Sequence, residues 1–245
     1  MVFKKIFAFT ICALGLVGCS KHDPILPGIR HDIFDSFEVN VRNKDVPELS
    51  GGEKNISGDG NCEYRQDEKN NIWHGDKKIF SGFANDNVVK SNQSPICVGN
   101  YIYTGLSTGE VIKLNTKTRQ PVWVADVFKM SNLTGGVSVV DIVAHVGVDG
   151  QYVYAGGLGD AFCKINANTG NKIWCENISV PVDFIIVDNF AFVVSGDNYL
   201  YAIETKSGEV YWKSEIKKQV KPIFNEKFIT VGKQRINYKN GSLIK

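Results

Sequence analysis

Outside the first twenty residues, four cysteines and four histidines are the side chains through which this chain could do metal, redox or hydrolytic chemistry. Cys62, Cys97, Cys163 and Cys175 show no C-x2-C spacing, so they do not read as a zinc site. In an oxidising compartment they could close disulfides in three connectivities. Cys163 and Cys175 flank the turn 166–171, but counting back from that turn leaves their register offset by one residue. Side chains so offset lie on different faces of a sheet, and the expectation is free, buried cysteines. His22, His31 and His74 fall in or beside a polar N-terminal stretch. His145 follows Asp141 by four residues in a strand-like region, a spacing that shares a face by parity yet builds no triad. No catalytic, cofactor-binding or metal-ligating set is read from these residues.

A different chemistry attaches to Cys19. Lys4 and Lys5 precede an apolar run at 6–17, which closes on Leu16-Val17-Gly18-Cys19-Ser20. A basic start, a short apolar run and a small-residue cleavage site are the parts of a secretory signal. The run is shorter than the roughly 20 apolar residues that a spanning helix needs. Leu-x-Gly-Cys resembles a bacterial lipobox, which implies a signal peptide at 1–18 and acylation of Cys19 as the first mature residue. Acyl chains stabilise membrane attachment by about 0.8 kcal/mol per buried CH2, so attachment would be stable without a spanning helix. Ser20 rather than aspartate after the cysteine implies, by the same resemblance, sorting to the outer membrane.

Residues 19–71 are polar and turn-rich, with Pro24, Pro27, Pro47, the Gly51-Gly52 pair and a charged run at 63–69. Such composition predicts a flexible tether, because it buries too little to offset the entropy of ordering. Within it, Ser57-Gly-Asp-Gly-Asn-Cys62 followed by Ile72-Trp73 admits two readings: a degenerate repeat unit, or a tryptophan that packs a linker onto the edge of the domain. The 28 basic and 26 acidic residues are distributed along the chain and sum to +2, which gives no basic face for nucleic acid.

The elements that must position everything else are repeats. Tyr152-Val-Tyr-Ala-Gly156, Ala161-Phe-Cys-Lys-Ile165, Thr169-Gly170 and Ile173-Trp174 recur as 190–196, Tyr199-Leu-Tyr-Ala-Ile203, Ser207-Gly208 and Tyr211-Trp212. An earlier copy runs from Tyr101 to Trp123. A period of roughly 40 to 45 residues signals a propeller or a comparable array. Strands are expected at 94–98, 101–104, 110–114 and 121–125; at 137–143, 152–155, 160–165 and 172–176; at 182–187, 190–194, 199–203 and 209–214; and, in an incomplete unit, at 220–224, 227–231, 234–237 and 242–244. The fold class is all-β: four-stranded antiparallel blades over 72–245, about four recognisable and one more degenerate. Trp123, Trp174 and Trp212 are expected to dock each blade's last strand onto the next blade. Gly105, Gly156 and Gly196 are expected at turns whose backbone conformation other residues resist.

The stretch Tyr199-Leu-Tyr-Ala-Ile-Glu-Thr-Lys-Ser-Gly-Glu-Val-Tyr-Trp-Lys213 resembles the PQQ-like propeller repeat, with its Ala-aliphatic-Asp, Thr-Gly turn and tryptophan. Joined to a lipoprotein signal, such repeats resemble the lipoprotein B subunit of the outer-membrane β-barrel assembly machinery. That resemblance implies a scaffold without enzymatic activity or bound quinone. Its partners would be the outer membrane, through the anchor, and the periplasmic domains of the β-barrel insertase. Members of that family have eight blades, whereas three clear blades, an incomplete one and a doubtful one are legible here, and no insertase-contacting position can be carried across. A quinoprotein-type enzyme or ligand-binding propeller shares the repeat and is the alternative; the vicinal cysteine pair typical of such enzymes does not occur.

Overall fold

The computed structural model describes residues 39–60, 62–82, 94–128 and 140–244. All belong to one compact unit, Phe37–Lys245, separate from the unit Met1–Ser36. The signal and Cys19 therefore lie outside the described residues, as do residues 137–139 of the expected strand at 137–143.

The described residues form five antiparallel sheets in chain order. The first has three strands, β1 (Tyr64–Gln66), β2 (Ile72–His74) and β3 (Lys77–Phe80). Four four-stranded blades follow: β4 (Ile96–Val98) to β7 (Pro121–Asp126), β8 (Gly147–Asp149) to β11 (Lys172–Glu176), β12 (Phe184–Val187) to β15 (Val210–Glu215), and β16 (Ile223–Asn225) to β19 (Leu243–Ile244). Within each blade successive strands are neighbours, so the first and last strands are the edges. This is the all-β array of propeller blades that the repeat predicts. In the second blade the first strand is Gly147–Asp149, and residues 140–143 form no strand. The reason is the hairpin: Asp149 pairs with Tyr152 across Gly150-Gln151, as Val98 pairs with Tyr101 and Val187 with Phe190, so the first strand must directly precede the turn.

Alternation along each strand sends side chains to two neighbouring blades. Cys163 and Ile165 join Val111, Ala125 and Val153 in the core between the β4–β7 and β8–β11 blades. Phe162 faces the other way, with Tyr154, Phe184, Ile186 and Tyr201, in the core between the β8–β11 and β12–β15 blades. Phe192, Leu200 and Trp212 meet Ile229 and Ile236 of the last blade. Fully burying side chains of this size contributes about 1.5–3 kcal/mol each. No blade could obtain that burial alone, which is why the array, rather than the blade, is the folding unit.

The expected tether at 19–71 is replaced, from residue 39 onward, by packed structure. Residues 39–59 form a strap that meets the β12–β15 blade, then the β16–β19 blade, and then runs back across the β12–β15, β8–β11 and β4–β7 blades. Its backbone bonds Val210 and Tyr211, then Lys239, then Ile186, Val148 and Cys97. The last three belong to the first-strand edges β12, β8 and β4, so the strap covers backbone groups that exposed edges would leave unpaired. Val46 and Ile56 are buried anchors. Ser50 and Gly51 donate their N–H groups to the Asp188 carboxylate at 2.8 and 3.0 Å, and Lys54 Nζ meets Asp149 at 2.8 Å. Composition misleads here because the strap is held by backbone and turn-residue bonds, which polar residues make as well as apolar ones.

Candidate functional site

The repeat motif builds one device three times. In each interior blade the pairing of the last two strands shifts by one residue, after Lys113, Lys164 and Ala202. The extra residue turns the following tryptophan toward the next blade. Trp123 Nε1 donates to the Ala167 carbonyl, Trp174 Nε1 to that of Thr205 and Trp212 Nε1 to that of Tyr238, each at 3.0 Å. Each acceptor lies in the turn between the third and fourth strands of the next blade. The same turn supplies the glycine under the ring: a Cβ on Gly170, Gly208 or Gly241 would approach ring atoms of Trp123, Trp174 or Trp212 to 2.8, 3.0 and 2.7 Å. These glycines also hold φ of 75, 82 and 73°, conformations that side chains resist.

A second donor reaches the same carbonyls. Lys113 Nζ and Lys164 Nζ lie 2.8 Å from the carbonyls of Ala167 and Thr205. Both lysines are buried, at 5% and 6% exposure, and burial pushes their ammonium groups below the usual range. Tyrosine faces offset part of that cost: Lys113 Nζ is 4.2 Å from the Tyr101 ring centroid and Lys164 Nζ 3.7 Å from that of Tyr152. Burial also pushes the Tyr103 hydroxyl up to about 12. Neither lysine was singled out from the sequence. The available signal was a lysine inside the apolar runs Val-Ile-Lys-Leu and Phe-Cys-Lys-Ile, where the repeat ideal has alanine and where Ala202 stands in the third copy.

The expected turn role of Gly105, Gly156 and Gly196 requires correction, since none of the three has positive φ. Gly105 closes β5 and its carbonyl accepts from Gln66 Nε2 at 2.9 Å. Gly156 is a close-approach position, where a Cβ would meet Val180 Cγ2 at 2.7 Å. At Gly196 the nearest neighbour would be Ser179 Oγ at 3.3 Å.

Trp73 behaves differently from the other three tryptophans. Its indole N–H bonds Asp67 of its own sheet at 2.9 Å, and Arg65 covers its ring. Burial pushes the Asp67 carboxyl up, but hydrogen bonds from Asn71, Trp73 and Lys69 outweigh it and hold the group below its ordinary value. The sheet joins the next blade by other means. Ile72 packs with Ile102, Ile112 and Leu114, and buried Asn70 exchanges bonds of 2.8 and 3.0 Å with Ser107.

A Cys62–Cys97 disulfide secures the same junction, with Cα atoms 5.2 Å apart. Cys163 and Cys175 are also bridged, at a Cα separation of 4.1 Å, which overturns the expectation of free thiols. The one-residue shift after Lys164 cancels the offset counted from the turn and sets Cys163 directly opposite Cys175. His145 bonds Asp183 through Nδ1 and stacks on Phe184, centroids 4.8 Å apart, while Lys221 Nζ lies 3.4 Å from the other Asp183 oxygen. That group ties the entries of three blades together. Among the described residues no set of three or more His, Cys, Asp or Glu side chains is placed to hold a metal.

Fold and clamp define a PQQ-like β-propeller repeat protein. The family model described as "Outer membrane protein assembly factor BamB" matches residues 36–214, and the chain belongs to that family. It is similar to outer membrane protein assembly factors BamB of Legionella pneumophila (strain Paris), 21% identical over 51% of this chain and 33% of that protein, and of Kangiella koreensis, 19% identical over 59% and 38%. The chain thus matches about a third of the length of those relatives. Among solved structures, BamB from Moraxella catarrhalis shares the fold at a TM-score of 0.50 and 16% identity, over 66% of this chain and 51% of that one.

Proposed function

We propose that this protein is a non-enzymatic scaffold, anchored by acylated Cys19 to the outer membrane and facing the periplasm, that assists assembly and insertion of β-barrel outer-membrane proteins. The observation that carries the reading is the family match over residues 36–214, to a model named for outer membrane protein assembly. The repeat's own chemistry is consistent with it: its tryptophans, buried lysines and turn glycines serve blade cohesion, leaving loops and outer edges for partners. Val122 and Val124 on β7 and Ile173 on β11 are exposed on such outer edges. The mechanism is binding, in which the anchor raises the effective concentration of partners at the membrane, and the partner proposed is the periplasmic part of the β-barrel insertase. Affinity capture of the lipidated protein from outer membranes should recover that insertase; reproducible capture without it would overturn the assignment. Cys19→Ala should release the chain from the membrane fraction, and retention would overturn the anchor.

A further inference from the structure

The overall balance of +2 conceals a strong asymmetry. Residues 217–245 hold eight basic residues, Lys217, Lys218, Lys221, Lys227, Lys233, Arg235, Lys239 and Lys245, against Glu226 alone, a net +7. Residues 1–216 hold 20 basic and 25 acidic residues, a net −5. The seven cations from Lys217 to Lys239 are all exposed. They belong to the last blade and the loop entering it, so the basic residues are not evenly distributed along the chain, as expected above, but gathered in its last 29 residues and on one blade.

The two ends of that blade differ. At the end formed by its first hairpin, Glu226 lies beside Lys227, and Glu48 and Glu53 of the strap share a cleft of about 970 Å³ with them. At the opposite end the entering loop meets the Gly232-Lys233 turn. Lys217 N–H donates to Gln234 Oε1 at 2.5 Å, and the side chain of Lys218 lies against Gly232. This brings Lys217, Lys218, Lys221 and Lys233 together. Among the described residues, carboxylates at this end include Asp183, which takes Lys221 at 3.4 Å, Glu215, which closes β15, and Asp197, in the turn whose neighbours Gly196 and Asn198 accept from Gln219 of the entering loop. Ile223 opens β16 at this end with 55% exposure, and Ile244, 38% exposed, pairs across from Arg235.

We propose that this lysine-rich end of the last blade is a docking surface for an anionic phospholipid bilayer. Protein interfaces are depleted in lysine and enriched in arginine and aromatic residues, whereas six of these seven cations are lysines. Lysines on flexible stems around exposed aliphatic side chains match a bilayer interface, where stems lie along apolar surface and ammonium groups meet headgroup phosphates. The surface is independent of Cys19. Bilayer contact through it would orient the described blades relative to the membrane.

The test uses the full chain carrying Cys19→Ala, so that acyl chains do not contribute, with vesicles of phosphatidylcholine alone or containing phosphatidylglycerol. Binding should rise with phosphatidylglycerol and fall with salt, because screening at 0.1 M acts over about 10 Å. At about 1 kcal/mol per lysine, each lysine removed should weaken binding roughly fivefold. Lys217→Glu, Lys218→Glu and Lys233→Glu together should therefore cost at least roughly a hundredfold. The control is Lys69→Glu, Lys77→Glu and Lys78→Glu, which changes net charge equally on exposed positions of the first sheet. Equal losses in both triple variants, or equal binding to both vesicle types, would overturn the proposal. Acetylation footprinting of the unsubstituted surface gives a readout that does not depend on the variants folding. Vesicles containing phosphatidylglycerol should protect Lys217, Lys218 and Lys233 over Lys69, Lys77 and Lys78. Uniform protection, or protection only by an acidic protein or a nucleic acid, would also overturn it.

Discussion

The junction between the first sheet and the β4–β7 blade and the three junctions that follow it solve one problem with different chemistry. Each must hold one sheet against the next. The later three do so with an indole N–H, a turn carbonyl that accepts from it and a glycine beneath the ring. The first uses a disulfide, the Asn70–Ser107 pair and a compact aliphatic core around Ile72. The clamp is intrinsic to the repeat and is renewed wherever the motif is. The first junction depends on individually placed residues and on an oxidising compartment. A long-range covalent link does at the start of the array what sequence repetition does within it.

The largest expected separation between the two kinds of junction comes from Trp212→Ala. The side chain is 3% exposed and packs between the last two blades. Removing it should cost about 3–5 kcal/mol, with a further contribution because the Tyr238 carbonyl loses its donor. Denaturant unfolding should show that loss, and hydrogen exchange should place it in β12–β19 while β1–β3 keep their protection. Equal loss of protection in both regions would mean that the array unfolds as one unit and that the junctions do not act separately.

Next in size is the covalent junction. Cys62 and Cys97 are 35 residues apart in sequence, and closing a loop of that length contributes about 4 kcal/mol in the chain-entropy account. Cys62→Ser with Cys97→Ser should raise exchange in β1–β3 and leave β12–β15 unchanged. The Cys163–Cys175 bridge, across 12 residues within one blade, should contribute about 3 kcal/mol by the same account. Its loss should loosen β11 alone. A double substitution at 62 and 97 that leaves β1–β3 fully protected would show that Asn70 and the aliphatic core are sufficient there.

Much of the fold was legible because the repeat carries its own alignment: hairpin turns, strand alternation and tryptophan spacing all point to the same blades. The exceptions have local causes. Residues 137–143 have a strand-like composition, whereas the Asp149-Gly150 turn is what fixes the first strand of the second blade. The Cys163–Cys175 bridge was hidden by a register shift that leaves no mark in composition; Ile173 looks like any strand residue. The strap was hidden because its bonds are made by its backbone and by Asp149 and Asp188, which sit at the hairpin turns between the first two strands of their blades. Lys113 and Lys164 read as ordinary strand lysines until the carbonyls of the next blade are in place. In each case the missing information is a contact with another blade, and periodicity within one blade does not contain it.

The smallest effect tests the comparison most directly, because it concerns one backbone position that the two kinds of junction treat differently. Arg119 stands where later blades have Gly170, Gly208 and Gly241, and all four N–H groups bond the carbonyl four residues back, at 2.8–2.9 Å. Arg119 also has the positive φ of that turn, 58°. In the later blades a tryptophan covers the glycine and excludes a Cβ, whereas Trp73 is turned to Asp67, so the arginine is tolerated without being favourable. The left-handed conformation costs a residue with a Cβ about 1–2 kcal/mol, and glycine offsets part of that gain with about 0.5–1 kcal/mol of additional chain entropy. Arg119→Gly should therefore stabilise by roughly 0.5–1 kcal/mol. Gly208→Ala meets both the left-handed strain and the Trp174 ring 3.0 Å away, and should destabilise by about 2 kcal/mol or more. Thermal unfolding of the two variants would show the opposite signs. If both were destabilised, Arg119 would be making contacts that outweigh its strain, and its turn would be a built part of the first junction rather than a position released from the clamp.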